Sequence, residues 1–342
     1  MIRPLSQPHL LDLSYEELKE KLGDSYRLRQ VCEWVFEKRA RSFEDMTSLP
    51  LDLRRELDSQ AALRNLQVER TEESRIDRTS KFTFKTCDKQ NFSCVFLPHK
   101  SYNSLCISTQ LGCAWECSFC ASGLIPFSRN LTSGEILDQI FLVEEQSGRK
   151  IRNVLFMGMG EPLSNYSGTV RTIRWLTSPH GFKMNPSRIV LSTTGLAPQI
   201  AKISGEKLQV NLALSLHAPN EALRKKIMPK SSRFPIPDVL AACKKYWQEN
   251  GGEFTVEYIL LRGVNDRKIH AEELSRLLLS ARFPSLPKIN LIPQNPVGTI
   301  ALQPSLPQAA EAFFAHLKKK NFNVHTRKPQ GQDLDAACGQ LL

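Results

Sequence analysis

Asn103-Ser-Leu-Cys-Ile-Ser-Thr109 leads without a break into Gln110-Leu-Gly-Cys113-Ala-Trp-Glu-Cys117-Ser-Phe-Cys120. The first seven residues are an apolar and β-branched run flanked by polar positions, the texture of a buried strand. The three cysteines after it have the spacing C-x3-C-x2-C. Nine cysteines in 342 residues would place three thiols this way by chance far less than once. A strand that opens directly into such a loop points to an α/β fold whose chemistry sits at the C-terminal strand ends.

Downstream the pattern repeats. Runs of strand texture lie at 153–157, 188–193, 210–216, 254–261 and 288–293, with helical segments between them. One of those helices opens with the capping box Thr132-Ser-Gly-Glu135, in which hydroxyl and carboxylate satisfy each other's backbone amides. Six strands alternating with helices predict a parallel sheet, either open or curled into a partial barrel. Polar or glycine-rich residues come after strand upon strand. They are Gly158-Met-Gly160-Glu161 after the second, Ser192 at the end of the third, Ser215-Leu216-His217 at the end of the fourth and Asn295 after the sixth. Each alone reads equally well as a turn or a satisfied core residue. In register, they mark a ligand-binding end.

Upstream the texture differs. Ser14-Tyr-Glu-Glu17 is a second capping box, and Gly23 can close its helix. Tyr26 to Arg39 carries Leu28, Val31, Val35 and Phe36 at helical spacing, and Pro50 can open a third helix. LQVER, KFTFKT and FSCVFL then alternate as a small β-meander running into the strand at 103–109. The predicted organisation is a helical accessory domain over 1–64, a β-meander extension over 65–100 and a catalytic domain over 101–342.

Composition limits the function classes. With 41% apolar and 24% charged residues the chain can bury a large core and is not disordered. No apolar run is long enough to span a bilayer, and the first twenty residues lack the apolar region of a secretory signal, so a cytoplasmic protein without membrane association is expected. Residues 1–87 hold 16 basic and 16 acidic side chains, so the net charge of +11 resides in the remainder. A basic catalytic part suits a polyanion such as nucleic acid. The cysteines of a cytosolic chain do not suggest a disulfide framework.

Three clustered thiolates are one short of the four that close a zinc site or fully ligate a [4Fe–4S] cluster. The residues leave two readings. Either a distant His or Cys106 completes a zinc site, or one iron of a cluster is left open to an exogenous ligand. The second is the chemistry of radical S-adenosylmethionine (SAM) enzymes. Here the motifs L-C-I-S-T-Q-x-G-C-A-x-x-C-x-F-C, F-M-G-M-G-E-P-L, L-S-T-T-G, S-L-H-A-P-N, N-L-I-P-Q-N-P and the ending D-L-D-A-A-C-G-Q-L become decisive. From about Tyr26 to Leu342 the chain resembles the RlmN/Cfr family of radical SAM RNA methyltransferases, its RlmN branch more closely.

That resemblance implies a partial (β/α)6 TIM-like radical SAM barrel with an RNA-binding N-terminal accessory domain. It implies one [4Fe–4S] cluster on Cys113, Cys117 and Cys120, with SAM chelating the fourth iron. SAM contacts fall on Gly160, Glu161, Ser192, Ser215, Leu216, His217 and Asn295. The implied reaction methylates carbon 2 of an adenosine in 23S rRNA, with tRNA as a second target. Carbon 8, the Cfr position, and a radical SAM reaction of another class are the alternatives. Carbon 2 lies between two ring nitrogens and is too electron-poor to attack the sulfonium methyl, which calls for a radical route. In the family's mechanism the counterpart of Cys338 first accepts a methyl as a thiolate. A 5′-deoxyadenosyl radical from a second SAM then abstracts hydrogen from that methyl, and the methylene adds to the base. After deprotonation, the thiol matching Cys106 releases the product through a transient disulfide. An electron donor such as a flavodoxin with its reductase is implied, and a monomer is expected.

One position departs from the pattern. The family carries a Glu, the proposed proton acceptor, in a V-E-x-V-x-[IL]-P strand. Here Phe92-Ser93-Cys94-Val95-Phe96-Leu97-Pro98 puts Ser93 in its place, and Ser is a poor base near neutral pH. Arg129-Asn-Leu-Thr132, Arg224-Lys225-Lys226 and Lys318-Lys319-Lys320 are candidate phosphate contacts, solvated faces being the alternative reading of each run.

Overall fold

The computed structural model describes residues 7–298 and 300–341. Four antiparallel strands come first: β1 (Leu66–Glu73), β2 (Ser80–Thr86), β3 (Asn91–Pro98) and β4 (Asn103–Cys106). In β2 the buried residues Ser80, Phe82, Phe84 and Thr86 alternate with half-buried ones, the period-2 pattern of a strand with one face on the core. After β4 two short strands, β5 (Gln110–Leu111) and β6 (Arg129–Asn130), pair antiparallel and clasp the base of the cysteine loop.

The sheet then continues parallel. β7 (Asn153–Phe156), β8 (Ile189–Thr193), β9 (Asn211–Ser215), β10 (Phe254–Leu260), β11 (Lys288–Pro293) and β12 (Val324–Thr326) come after β4 in spatial order. All ten strands of the meander and the barrel therefore form one sheet, the meander extending the β4 edge. The five downstream runs read from the sequence are all strands. β12 was not among them, because Val-His-Thr is too short and polar to register as a buried run.

Between the strands lie α4 (Ser133–Ser147), α5 (Tyr166–Thr177), α6 (Ala197–Ser204), α7 (Glu221–Ile227), α8 (Ile236–Asn250), α9 (Lys268–Ser280) and α10 (Pro307–Lys319). The Thr132 box forms as read, with Thr132 and Glu135 capping each other. Preceding the meander are α1 (Tyr15–Leu22), α2 (Ser25–Cys32) and α3 (Leu51–Gln60). Ser14 caps α1, and Gly23 ends it at φ 65°, a left-handed conformation that costs glycine little. The helix expected from Tyr26 to Arg39 is α-helical only to Cys32; Glu33–Glu37 is a π-helical turn.

One hydrophobic cluster runs from Leu10 and Phe43 in the accessory helices through Phe84, Ile140 and Trp175 to Leu291 and Val324. The polar seam over it centres on Asp138, which accepts from the Asn65 amide at 2.7 Å and the Leu66 amide at 3.2 Å and meets His9 Nε2 at 3.2 Å. No helix among the described residues is long and apolar enough to cross a membrane.

Candidate active site

Cys113, Cys117 and Cys120 lie on the loop between β5 and β6, and their neighbours are glycines with little room. A side chain at Gly112 (φ 73°) would meet the Pro126 carbonyl oxygen at 2.1 Å, and one at Gly123 the Cys117 carbonyl at 3.1 Å. The loop is thus wound tightly, with its three thiols close enough to interact. Burial pushes the Cys113 thiol up to about 12 and the Cys117 thiol well above the usual range, and the negative charges of the neighbouring thiolates add to it at Cys117. Among the described residues no three His, Cys, Asp or Glu side chains close around a single ion. A zinc site would require that closure, whereas the corners of an iron–sulfur cubane hold their ligands apart. Three loop thiols that do not close on one ion therefore fit the corners of a [4Fe–4S] cluster with one open iron better than they fit zinc.

Beside Cys120 opens a cavity at the C-terminal ends of the parallel strands. Gly160, Glu161, Ser192, Ser215 and His217 line it, together with Glu257, Arg327 and Cys338. The Gly158 and Gly160 backbone approaches the strand end closely. A Cβ at Gly158 would meet the Ile107 carbonyl at 2.6 Å, and one at Gly160 (φ 100°) the Gln110 side chain at 2.6 Å. Glu161 is buried, its Oε1 accepting from the Leu163 amide at 3.0 Å and its Oε2 from the Thr194 amide at 2.7 Å. His217 Nδ1 accepts from the Ile259 amide at 3.0 Å, so its Nε2 carries the proton in the neutral ring. Burial, with Arg224 nearby, pushes its pKa down to about 3.

A second cavity adjoins the first, sharing Cys120, Arg327, Cys338 and Gly339 with it. Cys106 lines this one, with Val95, Leu97, Asn295 and Ala336. The C-terminal segment reaches it from β12 and is tied down at both sides. Ala121 N–H donates to the Gly339 carbonyl at 2.7 Å, Ser122 Oγ to the Leu341 carbonyl at 2.7 Å and Asn295 Nδ2 to the Cys338 carbonyl at 3.0 Å. Residues more than 200 apart in sequence thus place Cys338 next to the cysteine loop and opposite Cys106. Burial pushes both thiols up, and Arg327 pulls both back down. All nine cysteines are free; Cys338 is open to solvent through the two cavities it lines, while the protein atoms crowded around it there desolvate its thiol.

Of the seven residues expected around SAM, five line the first cavity. Leu216 does not. It follows the last residue of β9 and is fully buried in the main hydrophobic cluster. Asn295 lies in the second cavity, fastening the C-terminal segment. Ser93 is buried, with Oγ 3.2 Å from Thr83 Oγ1, and lines neither cavity. Two candidate phosphate contacts are corrected. Arg224 is fully buried and donates to the Ser231, Phe234 and Thr194 carbonyls. Arg129 is taken up by bidentate pairs with Asp88 and Glu135.

Glu257 and Arg327 were missed from the sequence. Arg327 Nη2 donates to Glu257 Oε1 at 2.9 Å, and Asn290 Nδ2 donates to the same oxygen at 2.8 Å. A signal for Glu257 existed: it is a carboxylate in the middle of the apolar run FTVEYILL, and such residues are almost never buried without a partner. Arg327 gave none, since β12 itself was invisible.

A parallel barrel with three unpaired loop thiols beside a glycine-rich cavity at its C-terminal strand ends defines a radical SAM enzyme. The profile of the radical SAM superfamily matches residues 107–273, and that of the ribosomal RNA large subunit methyltransferase N-terminal domain matches residues 9–63. A probable dual-specificity RNA methyltransferase RlmN of Endomicrobium trichonymphae is 39% identical over 338 residues, covering 97% of each chain. Its counterpart in Pelotomaculum thermopropionicum is 43% identical over 327 residues, covering 95% of this chain and 88% of that one. A crystal structure of a radical SAM methyltransferase from Sphaerobacter thermophilus superposes with a TM-score of 0.91 at 38% identity, covering 98% of this chain and 99% of that one. The chain belongs to the RlmN family of radical SAM methyltransferases, whose cofactors are a [4Fe–4S] cluster and SAM.

Proposed function

We propose that the protein methylates carbon 2 of an adenosine in 23S rRNA and in tRNA, with Cys338 as the methyl carrier and Cys106 as the thiol that releases the product. The observation that carries this reading is the shared cavity of Cys106 and Cys338, adjoining the one beside Cys120. The RNA specificity is that of the relatives named as dual-specificity RNA methyltransferases. In this reading Cys113, Cys117 and Cys120 hold the cluster, and Gly160, Glu161, Ser192, Ser215 and His217 hold SAM. When bound, the pair would supply a reducing electron and a carbon-centred radical.

The chain's own residues do the rest. Arg327 favours the thiolate of Cys338, the form that accepts a methyl. Asn295 and Ala121 fix the backbone on either side, so the methylated sulfur stays between the two cavities. Cys106, buried on β4, lines the same cavity as Cys338. Its thiolate then attacks the Cys338 sulfur, forming the disulfide as the sulfur–carbon bond to the product breaks; the electron pair of that bond goes to the departing carbon, which takes up a proton and becomes the methyl group. Residues 1–64 act as the RNA-binding accessory domain. A monomer fed by a donor of the flavodoxin kind, working in the cytoplasm where the RNA is, completes the proposal. The test is an assay of cluster-loaded protein on unmodified 23S rRNA fragments and tRNA transcripts. 2-Methyladenosine is expected in both; 8-methyladenosine, or no methylated base, would overturn it.

A further inference from the structure

Removing the proton from the substituted adenine carbon needs a base, and Ser93 stands where a carboxylate would serve. Among the described residues only two carboxylates line either cavity, Glu161 and Glu257. Glu161 has both oxygens occupied by backbone amides. His217 accepts from the Ile259 amide through Nδ1 and so offers a donor, not an acceptor, to the cavity. Glu257 differs from both. Its Oε1 is held by Arg327 and Asn290, while its Oε2 is buried without any hydrogen-bond partner. An orphaned carboxylate oxygen inside a protein costs free energy unless something arrives to use it.

We propose that Glu257 is the proton acceptor of the methyl-transfer reaction, through Oε2. The inference rests on the function proposed above. In the step, the adduct radical formed by methylene addition gives its odd electron to a one-electron acceptor, a role the oxidised iron–sulfur cluster would fill, and the C–H bond at the substituted ring carbon breaks with its electron pair staying in the ring. The proton bonds to Oε2 and passes to solvent once the product has left. Arg327 and Asn290 are positioning residues: they hold Oε1 and fix the plane of the carboxylate, leaving Oε2 without a partner in a residue that lines the same cavity as Cys338. The Glu257–Arg327 pair thus supplies, from the barrel, the base that β3 lacks.

The test is Glu257→Gln in the cluster-loaded enzyme, given SAM, reductant and an unmodified 23S rRNA fragment. Intact-protein mass should show Cys338 methylated as in the parent. Release of 2-methyladenosine should fall about a hundredfold or more, the usual size of a general-base contribution. A covalent enzyme–RNA adduct should accumulate on denaturing gels. Adding Ser93→Glu to Glu257→Gln should clear the adduct and restore release, which a folding defect would not allow. Product release within about threefold of the parent, far short of a general-base effect, would overturn the inference. So would loss of Cys338 methylation with weakened SAM binding, which would assign Glu257 to the cofactor. A parent enzyme that methylates neither Cys338 nor RNA would instead refute the underlying function.

Discussion

At the level of single residues the two reactive thiols make different predictions. Cys338→Ala should abolish methyl incorporation into both protein and RNA, read by mass spectrometry of the C-terminal peptide and by nucleoside analysis. Cys106→Ala should leave Cys338 methylation intact and trap RNA on the enzyme, visible as a gel-shifted covalent species. His217 gives a pH prediction. With its native pKa pushed down to about 3 against roughly 6.5 unfolded, the unfolded chain binds a proton that the native one excludes. Its contribution to stability is complete above the unfolded value and is lost as pH falls toward the native one, on the order of 1 kcal/mol per pH unit. His217→Gln should flatten that slope in denaturation midpoints measured from neutral pH down to about 4, the window below the unfolded histidine value.

Among the elements, α4 acts as the bracket between accessory helices, meander and cysteine loop. Its Gln139 donates to the Ser108 carbonyl and accepts from the Ser108 amide, both at 2.9 Å, just beyond the end of β4. Gln139→Leu would strand two buried backbone groups at roughly 1–3 kcal/mol each. Lower denaturation midpoints and poorer cluster incorporation, read from iron content, are expected. One residue earlier on α4, Asp138 binds His9, Asn65 and Leu66. Asp138→Ala leaves those donors buried, and limited proteolysis should then cut preferentially before residue 66.

Across the molecule as a whole, charge is distributed unevenly. The net +11 lies beyond residue 87, although Arg224 and Arg129 are internally committed. α10 returns from the C-terminal end of β11 to the start of β12, so Lys318-Lys319-Lys320 sits at the end of the barrel away from both cavities. RNA binding through the remaining cations should be strongly salt-dependent, because each neutralised phosphate releases counterions. An affinity drop of about tenfold or more between roughly 50 and 200 mM salt is expected in fluorescence anisotropy. A flat response would mean that the phosphates contribute little.

Spacing and periodicity are local, and they carried far. The cysteine triad, both capping boxes, the meander and six strand runs were legible because each depends on residues only a few positions apart. Cys338 and Cys106 were legible only through the motifs around them. Their juxtaposition needed the sheet to close and the last segment to fold back onto Ala121 and Asn295. Glu257 and Arg327 come together only through the parallel pairing of β10, β11 and β12, and no local pattern encodes a contact across 70 residues. Read as a string, the chain already specifies the α/β class, the thiol set and the serine at position 93 in place of a carboxylate. Folding settles which thiol faces which, which arginines are free, and where an unpaired carboxylate oxygen waits, because those facts are distances between residues that the chain keeps far apart until it folds.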